Sequence, residues 1–221
     1  MVSRKRVKNL EKRKKQLRKR KRQQGHFESF EYTITYELTE EDKQFKQLPE
    51  QVYQRINELR DSVFTHPEQT IVEFSELIRD YPNIPEFYKY LIIAYSGLGD
   101  IKNEEATILA CYEKFPDYLI GRLSYAEMCL ERGEIEKIPE IFENKLDLKL
   151  LYPQRTEFHI AEYTNFTGLV VLYYLLIGKV ENSKLLYDVL KQIAPEHPYV
   201  EKIESIVSSL ASAVDDFKYF P

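Results

Sequence analysis

The stretch from Pro85 to Pro116 constrains the fold of this chain most, because it carries two apolar stripes at helical spacing on either side of a turn. The apolar side chains of the first stripe share one helical face: Tyr88, Leu91, Ile92 and Tyr95. The second stripe lies on one face of the following segment: Ile108, Cys111, Tyr112 and Phe115. Since Gly99 and Asp100 separate the stripes and Pro116 ends the second, the stretch predicts a helical hairpin.

The hairpin pattern recurs before and after this stretch. Gln51 lies 34 residues before Pro85 and Leu119 lies 34 residues after it, and apolar stripes follow both positions. A fourth pattern begins at Thr164, which is 11 residues later than a constant period requires, and has its turn at Gly178. The sequence therefore predicts four hairpins and a terminal helix: residues 51–84, 85–118, 119–152 and 164–197, then 198–214.

The second hairpin resembles the tetratricopeptide repeat (TPR), a 34-residue unit with an aromatic-x-x-Leu-Gly-x-x-Tyr core, a Gly turn and a closing Pro. Tyr88 stands where the repeat usually has Trp, whereas Ile92 and Glu104 stand where it usually has small residues. The resemblance implies an all-α fold, a right-handed α-solenoid of TPR-like hairpins over residues 51–214 that ends in a C-terminal capping helix. Residues 215–221 would form a short C-terminal tail.

Two features of the fourth unit depart from a regular repeat. The 11-residue insert from Pro153 to Tyr163 corresponds to about three helical turns, so we expect it to extend the helical layer or to form a short protrusion. The first helix of this unit contains an unbroken apolar run from Leu169 to Ile177. We expect this helix either to be covered on all sides or to expose an apolar groove.

Charge divides the chain into two parts, although the net charge is only -4. Residues 1–24 contain 13 Lys and Arg and one Glu, a balance of +12, so the other 197 residues carry 19 basic and 35 acidic groups, or -16. This basic tail has too few apolar residues to close a core. We expect it to be frayed or disordered on its own.

The basic tail has three alternative uses that composition does not separate. It can stay solvated without a ligand, contact nucleic acid or a ribosome, or serve as a targeting or protein-binding segment. A polyanion would be bound by the cationic side chains of the tail: Arg4, Lys5, Arg6, Lys12, Arg13, Lys14, Lys15, Arg18, Lys19, Arg20, Lys21 and Arg22.

Residues 25–50 connect the basic tail to the hairpins. Within them, the stretch from Phe27 to Leu38 alternates apolar and polar side chains as a β-strand does, and we find no second such stretch in the sequence. A single strand is expected to lie in a groove of the helical body, to pair with a second copy or to stay loosely ordered, and we favour packing along the body. The residues from Thr39 to Asp42 predict a short helix that ends before Pro49.

The sequence has no residue pattern typical of a catalytic, cofactor or metal site, such as H-E-x-x-H, a Gly-rich phosphate loop or G-x-S-x-G. His159 and Glu162 form one pair of potential metal ligands, but a lone pair is more often structural. Cys111 and Cys129 are expected to be reduced core thiols. With no apolar run long enough to cross a bilayer, we expect a soluble, non-enzymatic protein without a cofactor, in the cytoplasm or, in a eukaryote, the nucleus.

The TPR resemblance implies protein binding, because stacked hairpins expose their first helices on a concave surface. Transferring the groove positions of the family residue by residue gives eight candidates: Arg55, Glu86, Lys89, Tyr90, Ile93, Ser124, Glu127 and Glu131. Family members that bind the carboxylate-ending tails of chaperones use Lys and Asn at such positions; Lys89 matches, but Ile93 replaces the Asn, so we do not expect that ligand. The sequence predicts a scaffold that binds a peptide or helix, with a nucleic-acid- or ribosome-associated accessory factor as the alternative.

Overall fold

The structure of the chain, a computed structural model, describes residues 32–37 and 47–217. The predicted basic tail, with its candidate polyanion-binding side chains, lies outside the described residues. Residues 39–46 of the short helix that is predicted to end before Pro49 also lie outside them. The described residues include those of all four predicted hairpins and of the predicted terminal helix.

Ten helices and two short strands account for most of the described residues, which confirms that the protein is mainly α-helical. The helices are α1 (Glu50–Ser62), α2 (Pro67–Asp80), α3 (Glu86–Leu98), α4 (Ile101–Lys114), α5 (Leu119–Glu131), α6 (Lys137–Ile141), α7 (Leu148–Leu151), α8 (Ile160–Leu176), α9 (Val180–Ile193) and α10 (Pro198–Phe217). The strands are β1 (Thr33–Thr35) and β2 (Glu157–His159).

The three predicted glycine turns each lie between consecutive helices: Gly99 follows α3, Gly133 follows α5 and Gly178 follows α8. Their φ angles of 68°, 74° and 75° are left-handed, a conformation that glycine adopts without the steric cost of a Cβ atom. The amide of Asp100 donates to the carbonyl of Tyr95 at 3.0 Å, so the end of α3 is hydrogen-bonded. The local glycine signal therefore located these turns correctly.

The third hairpin has a shorter second helix than the others. Helix α6 spans five residues, whereas α2, α4 and α9 span 14 each. It is followed by Glu143 and Asn144, whose φ angles of 53° and 59° are incompatible with a right-handed helix. The chain then forms the single turn α7, where the carboxylate of Asp147 accepts hydrogen bonds from the amides of Lys149 and Leu150 at 2.9 and 3.1 Å.

The strand predicted near the N-terminus has a partner within this chain. β1 pairs in parallel with β2, with Ile34 opposite Phe158, and the amide of Thr33 donates to the carbonyl of Thr156 at 2.8 Å. The expectation of a single strand was therefore wrong, whereas its packing along the helical body is observed. Because β2 has only three residues, it is too short for sequence periodicity to reveal.

The insert at residues 153–163 is neither a simple helical extension nor a protrusion. Its central residues form β2, where Phe158 is fully buried, and its last residues, from Ile160 onward, form the first turn of α8. Phe158 of the insert is therefore part of the core, whereas Pro153, Gln154, Thr156 and Glu157 are exposed. Our expectation for it was correct only for the extra turn of α8.

Contacts between helices run mainly from each helix to the next in the chain, from α1 to α6 and again from α8 to α10. Contacts of α5 with α8, and of α8 with α10, join the third and fourth hairpins and the last helix. The first three helices enclose one apolar cluster: Ile56, Leu59, Phe74, Leu77, Ile84, Phe87, Tyr90 and Leu91. Fully burying one such side chain stabilises a fold by about 1.5–3 kcal/mol.

The apolar helix α8 is covered along most of its length. Every residue from Phe166 to Leu172 is buried, whereas Leu176 and Ile177 at its end are 48% and 36% exposed. Cys111 and Cys129 are buried and free, as expected for core thiols. Within residues 32–37 and 47–217, we find no helix with the length and apolar character needed to cross a membrane.

Candidate protein-interaction surface

The eight predicted groove residues lie on alternate helices of the described chain. Arg55 is on α1, and Ser124, Glu127 and Glu131 are on α5. The remaining four are on α3: Glu86, Lys89, Tyr90 and Ile93. These helices are the first members of the first three hairpins, so the predicted positions do fall on corresponding elements.

Tyr90 belongs to the core rather than to an open surface. Only 6% of it is exposed, and its ring stacks on that of Phe74 in α2 with centroids 4.9 Å apart. The guanidinium of Arg60 in α1 lies 6.0 Å from the ring centroid of Tyr90, and the ammonium of Lys89 lies 5.2 Å from it. Tyr90 therefore joins α1, α2 and α3, and little of its side chain is left for a partner to contact.

Glu86 is also buried, with 4% exposed, so it offers little surface to a partner. Burial, together with the negative charge of Glu86, raises the pKa of Cys111 in α4 to about 12. That thiol stays protonated at neutral pH, so Cys111 is not poised as a nucleophile. Glu86 and Cys111 thus form part of the contact between α3 and α4.

Arg55 is exposed, and its guanidinium bridges two carboxylates of α2. It pairs with Glu73 and lies 3.2 Å from Glu76. Exposed pairs of this kind contribute only about 0.2–1 kcal/mol, so the bridge holds the arginine only loosely. Arg55 therefore remains accessible to a partner carboxylate.

The other predicted residues on α3 and α5 differ in exposure. Lys89, Ile93 and Ser124 are partly exposed, and Glu131 is exposed. Together they offer one positive, one apolar, one hydroxyl and one negative group. Such a mixed set can bind a polypeptide, but it contains no nucleophile paired with a base.

Glu127 is contacted by a residue that sequence reasoning missed. The hydroxyl of Tyr199, in the first turn of α10, donates a hydrogen bond to its carboxylate. Burial raises the pKa of Glu127 above its ordinary value of 4.5, the Tyr199 hydrogen bond and the nearby Lys202 lower it, and Glu131 raises it. The side chain of Glu127 is therefore covered by the C-terminal helix.

The ring of Tyr199 rests against α8 at Gly168. A Cβ atom on Gly168 would lie 2.3 Å from Cγ of Tyr199, closer than any two nonbonded carbon atoms can approach. Only 6% of Tyr199 is exposed, and its ring stacks on His197 with centroids 5.8 Å apart. A glycine inside a helix, directly before the apolar run from Leu169 to Ile177, was the one sequence signal of this close approach.

His159 and Glu162, the one pair of potential metal ligands, have a structural role. The amide of His159 donates to Glu162 at 2.8 Å, and the Nδ1 atom of His159 accepts from Ala161, which forms a capping box at the start of α8. Arg155 donates to both oxygens of Glu162, at 3.0 and 2.7 Å, and its guanidinium lies 4.2 Å from the Phe158 ring centroid. Across the described residues there is no cluster of three or more His, Cys, Asp or Glu able to hold a metal ion.

A buried arginine, Arg122, ties the third hairpin together. Arg122, 5% exposed, donates to the carbonyl of Pro116 and, at 2.8 Å, to Glu143 in the left-handed turn after α6. Its side chain also lies 3.5 Å from Asp117. Because two carboxylates surround this cation, it fixes the turn rather than presenting a positive charge to a ligand.

Comparison of the chain with protein-family models, with curated proteins and with solved structures finds no match in any of the three.

Proposed function

We propose that this protein is a non-enzymatic scaffold, a right-handed solenoid of TPR-like hairpins that binds a peptide or helix through the first helices of its hairpins. The observations that carry the proposal are two contacts between first helices. Arg60 of α1 reaches the ring of Tyr90 in α3, and α5 contacts α8 directly. First helices that lie side by side can present a shared surface to a partner, here one formed by α1 and α3 and another formed by α5 and α8.

The partner surface at the α1–α3 end would consist of Arg55, Lys89 and Ile93. A polypeptide with a carboxylate opposite each cation and an apolar side chain against Ile93 would match it. TPR proteins that clamp a C-terminal carboxylate use the side-chain amide of an Asn at the position of Ile93, and Ile93 has no such amide. We therefore propose an internal segment, rather than a free C-terminus, as the ligand.

The experiment is recovery of partners from the source cell by the full-length chain and by charge variants. Lys89→Glu should lose the specific partner, because it places a negative charge beside Ile93. Lys102→Glu, on an exposed position of α4, makes the same charge change away from the proposed surface and should retain it. Equal recovery by both variants, with unchanged circular dichroism, would rule out the α1–α3 surface.

A second candidate function rests on the division of charge between residues 1–24 (+12) and the rest of the chain (-16). Under this second function, the protein is an accessory factor whose tail contacts nucleic acid or a ribosome while its helices bind another protein. Binding to RNA should then weaken steeply between low and moderate salt, because cations on the polyanion are released. A chain with six tail lysines and arginines changed to Gln should lose RNA while keeping any partner that depends on Lys89.

A further inference from the structure

Among the side chains of helix α10 that the structure describes, residues 198–209, those in the first two turns supply the buried contacts with the rest of the protein. Among its described side chains only Tyr199, Val200 and Ile203 are buried, whereas Val207 is 48% exposed. Further along, Glu204 accepts a hydrogen bond from the hydroxyl of Tyr187 in α9 at 2.5 Å and pairs with Lys191, but the Glu204 and Lys191 side chains are both about half exposed. Such surface pairs add little to the attachment.

Helix α10 as a whole contacts α8 and α9, and its Tyr199 side chain is received by two first helices, α5 and α8. We call the place where they receive it the α5–α8 cleft and define it by Glu127 on α5 and Gly168 on α8. In the α5–α8 cleft, Gly168 contacts the ring of Tyr199 and Glu127 accepts a hydrogen bond from the hydroxyl of Tyr199. Glu127 is also one of the positions at which the TPR resemblance places a partner.

Charge in the α5–α8 cleft matches what α10 brings to it. Glu127 and its neighbour Glu131 are acidic, and Lys202 of α10 acts on Glu127 with the opposite sign. Lys202 follows Tyr199 by three residues, so both side chains lie on one face of the helix. The sequence Tyr-x-x-Lys on a helix is thus complementary to this cleft in shape, hydrogen bonding and charge.

We infer that the α5–α8 cleft is a helix-docking site, that α10 is its resident occupant, and that a partner helix carrying Tyr-x-x-Lys docks there by displacing α10. This inference rests on the proposed scaffold function and names the kind of partner for one end of the surface. Because α10 is covalently attached, its effective concentration at the cleft is high, so a free helix competes poorly until α10 is weakened.

The test uses the full-length chain and a fluorescein-labelled peptide of residues 197–211 as the probe. In the Tyr199→Ala chain the resident helix loses its anchor, and the peptide should bind at least about tenfold more tightly than it binds the unmodified chain. A peptide with Phe in place of Tyr199 should bind about tenfold more weakly, because it cannot donate to Glu127. Adding Gly168→Ala to the Tyr199→Ala chain should abolish binding, because the methyl group fills the space of the ring.

Several results would overturn the inference. If the Tyr199→Ala chain keeps its helical circular dichroism but does not bind the peptide, the cleft is not a docking site. If Tyr199→Ala unfolds the chain, α10 is a core element and cannot be exchanged. If the double variant binds as well as Tyr199→Ala alone, the peptide binds elsewhere. None of these results affects the dependence of partner recovery on Lys89, so failure here is distinguishable from failure of the scaffold function.

Discussion

The two ends of the predicted groove differ in what covers them. At the α1–α3 end, Arg55 is exposed and Lys89 and Ile93 are partly exposed, and the burial of Tyr90 comes from the neighbouring helices α1 and α2. At the α5–α8 end, Glu127 is covered by Tyr199, a residue 72 positions further along the chain. A repeat pattern indicates which residues line a surface, but a distant segment of the same chain decides whether they are free.

The largest effect should come from Gly168→Ala. The new Cβ atom would lie 2.3 Å from the ring of Tyr199, so the first turn of α10 must move, and overpacking of this kind costs about 1–3 kcal/mol. The control is Gly97→Ala in α3, where no heavy atom lies within 4 Å and replacing a helical glycine should stabilise by about 0.5–1 kcal/mol. Thermal unfolding should shift in opposite directions for the two variants. A shift in the same direction would show that the close approach at Gly168 does not constrain α10.

Removing the hydroxyl of Tyr199 should have the next largest effect. Tyr199→Phe leaves the part-buried carboxylate of Glu127 without its donor, which should lower the free energy of unfolding by about 0.5–1.5 kcal/mol. The same change at Tyr187, whose hydroxyl bonds to the exposed Glu204, should cost less than about 1 kcal/mol. Urea denaturation of both variants measures the difference. Equal losses would mean that Tyr199 is not the stronger attachment.

Glu127 should make the stability depend on pH. Its pKa in the folded chain is raised above the ordinary 4.5 by burial, so between these two values the folded chain holds more protons than the unfolded chain. The free energy of unfolding then falls as the pH rises through this window, and the loss is complete above the folded pKa. Glu127→Gln removes the effect, so its stability relative to the unmodified chain should rise across the window.

The groups that face Glu127 are Tyr199, Lys202 and Glu131. Glu131→Gln on the same helix is therefore the matched control, because it removes an exposed carboxylate one turn away. Melting temperatures between pH 4 and pH 8, compared with those of the unmodified chain, should rise across the window for Glu127→Gln, and should rise less for Glu131→Gln, which only removes a charge that raises the pKa of Glu127. If the melting temperatures of Glu127→Gln and of the unmodified chain differ by the same amount at every pH, burial does not raise the pKa of Glu127.

The smallest effect should come from the open end of the groove. Arg55→Gln breaks only exposed pairs with Glu73 and Glu76, which should change the free energy of unfolding by less than about 1 kcal/mol, and less still at high salt. Urea denaturation at low and at high ionic strength measures the change in the free energy of unfolding and its dependence on salt. A loss comparable to that of Tyr199→Phe would mean that this end is not an open surface.

The sequence predicted those parts of the fold that depend on local signals. Gly99, Gly133 and Gly178 marked three turns because only a few residue types adopt the left-handed conformation found there. The pairing of β1 with β2 could not be predicted, because Thr33 and Glu157 are far apart in sequence and each strand has only three residues. The short α6 was also missed, since Glu143 and Asn144 enter a conformation that their residue types do not require.

The candidate site was predictable to a smaller extent. Helix positions followed from the repeat spacing, so Lys89, Ile93 and Glu131 were placed on first helices with accessible side chains. Burial of Glu86 and Tyr90 depends on how α1, α2 and α4 pack around α3, and the covering of Glu127 depends on the path of α10. Neither can be deduced from spacing within one hairpin, although a glycine at position 168 was a sequence signal from which a close approach to α8 could have been inferred.

Native-state hydrogen exchange on the unmodified full-length chain tests most directly whether one end of the groove is covered by a removable helix. We predict that amides in residues 198–209 of α10 exchange at least about tenfold faster than amides in residues 166–172 of α8, because α10 opens without the rest of the fold. Equal exchange rates in the two helices would show that they open only together, and would contradict a removable α10.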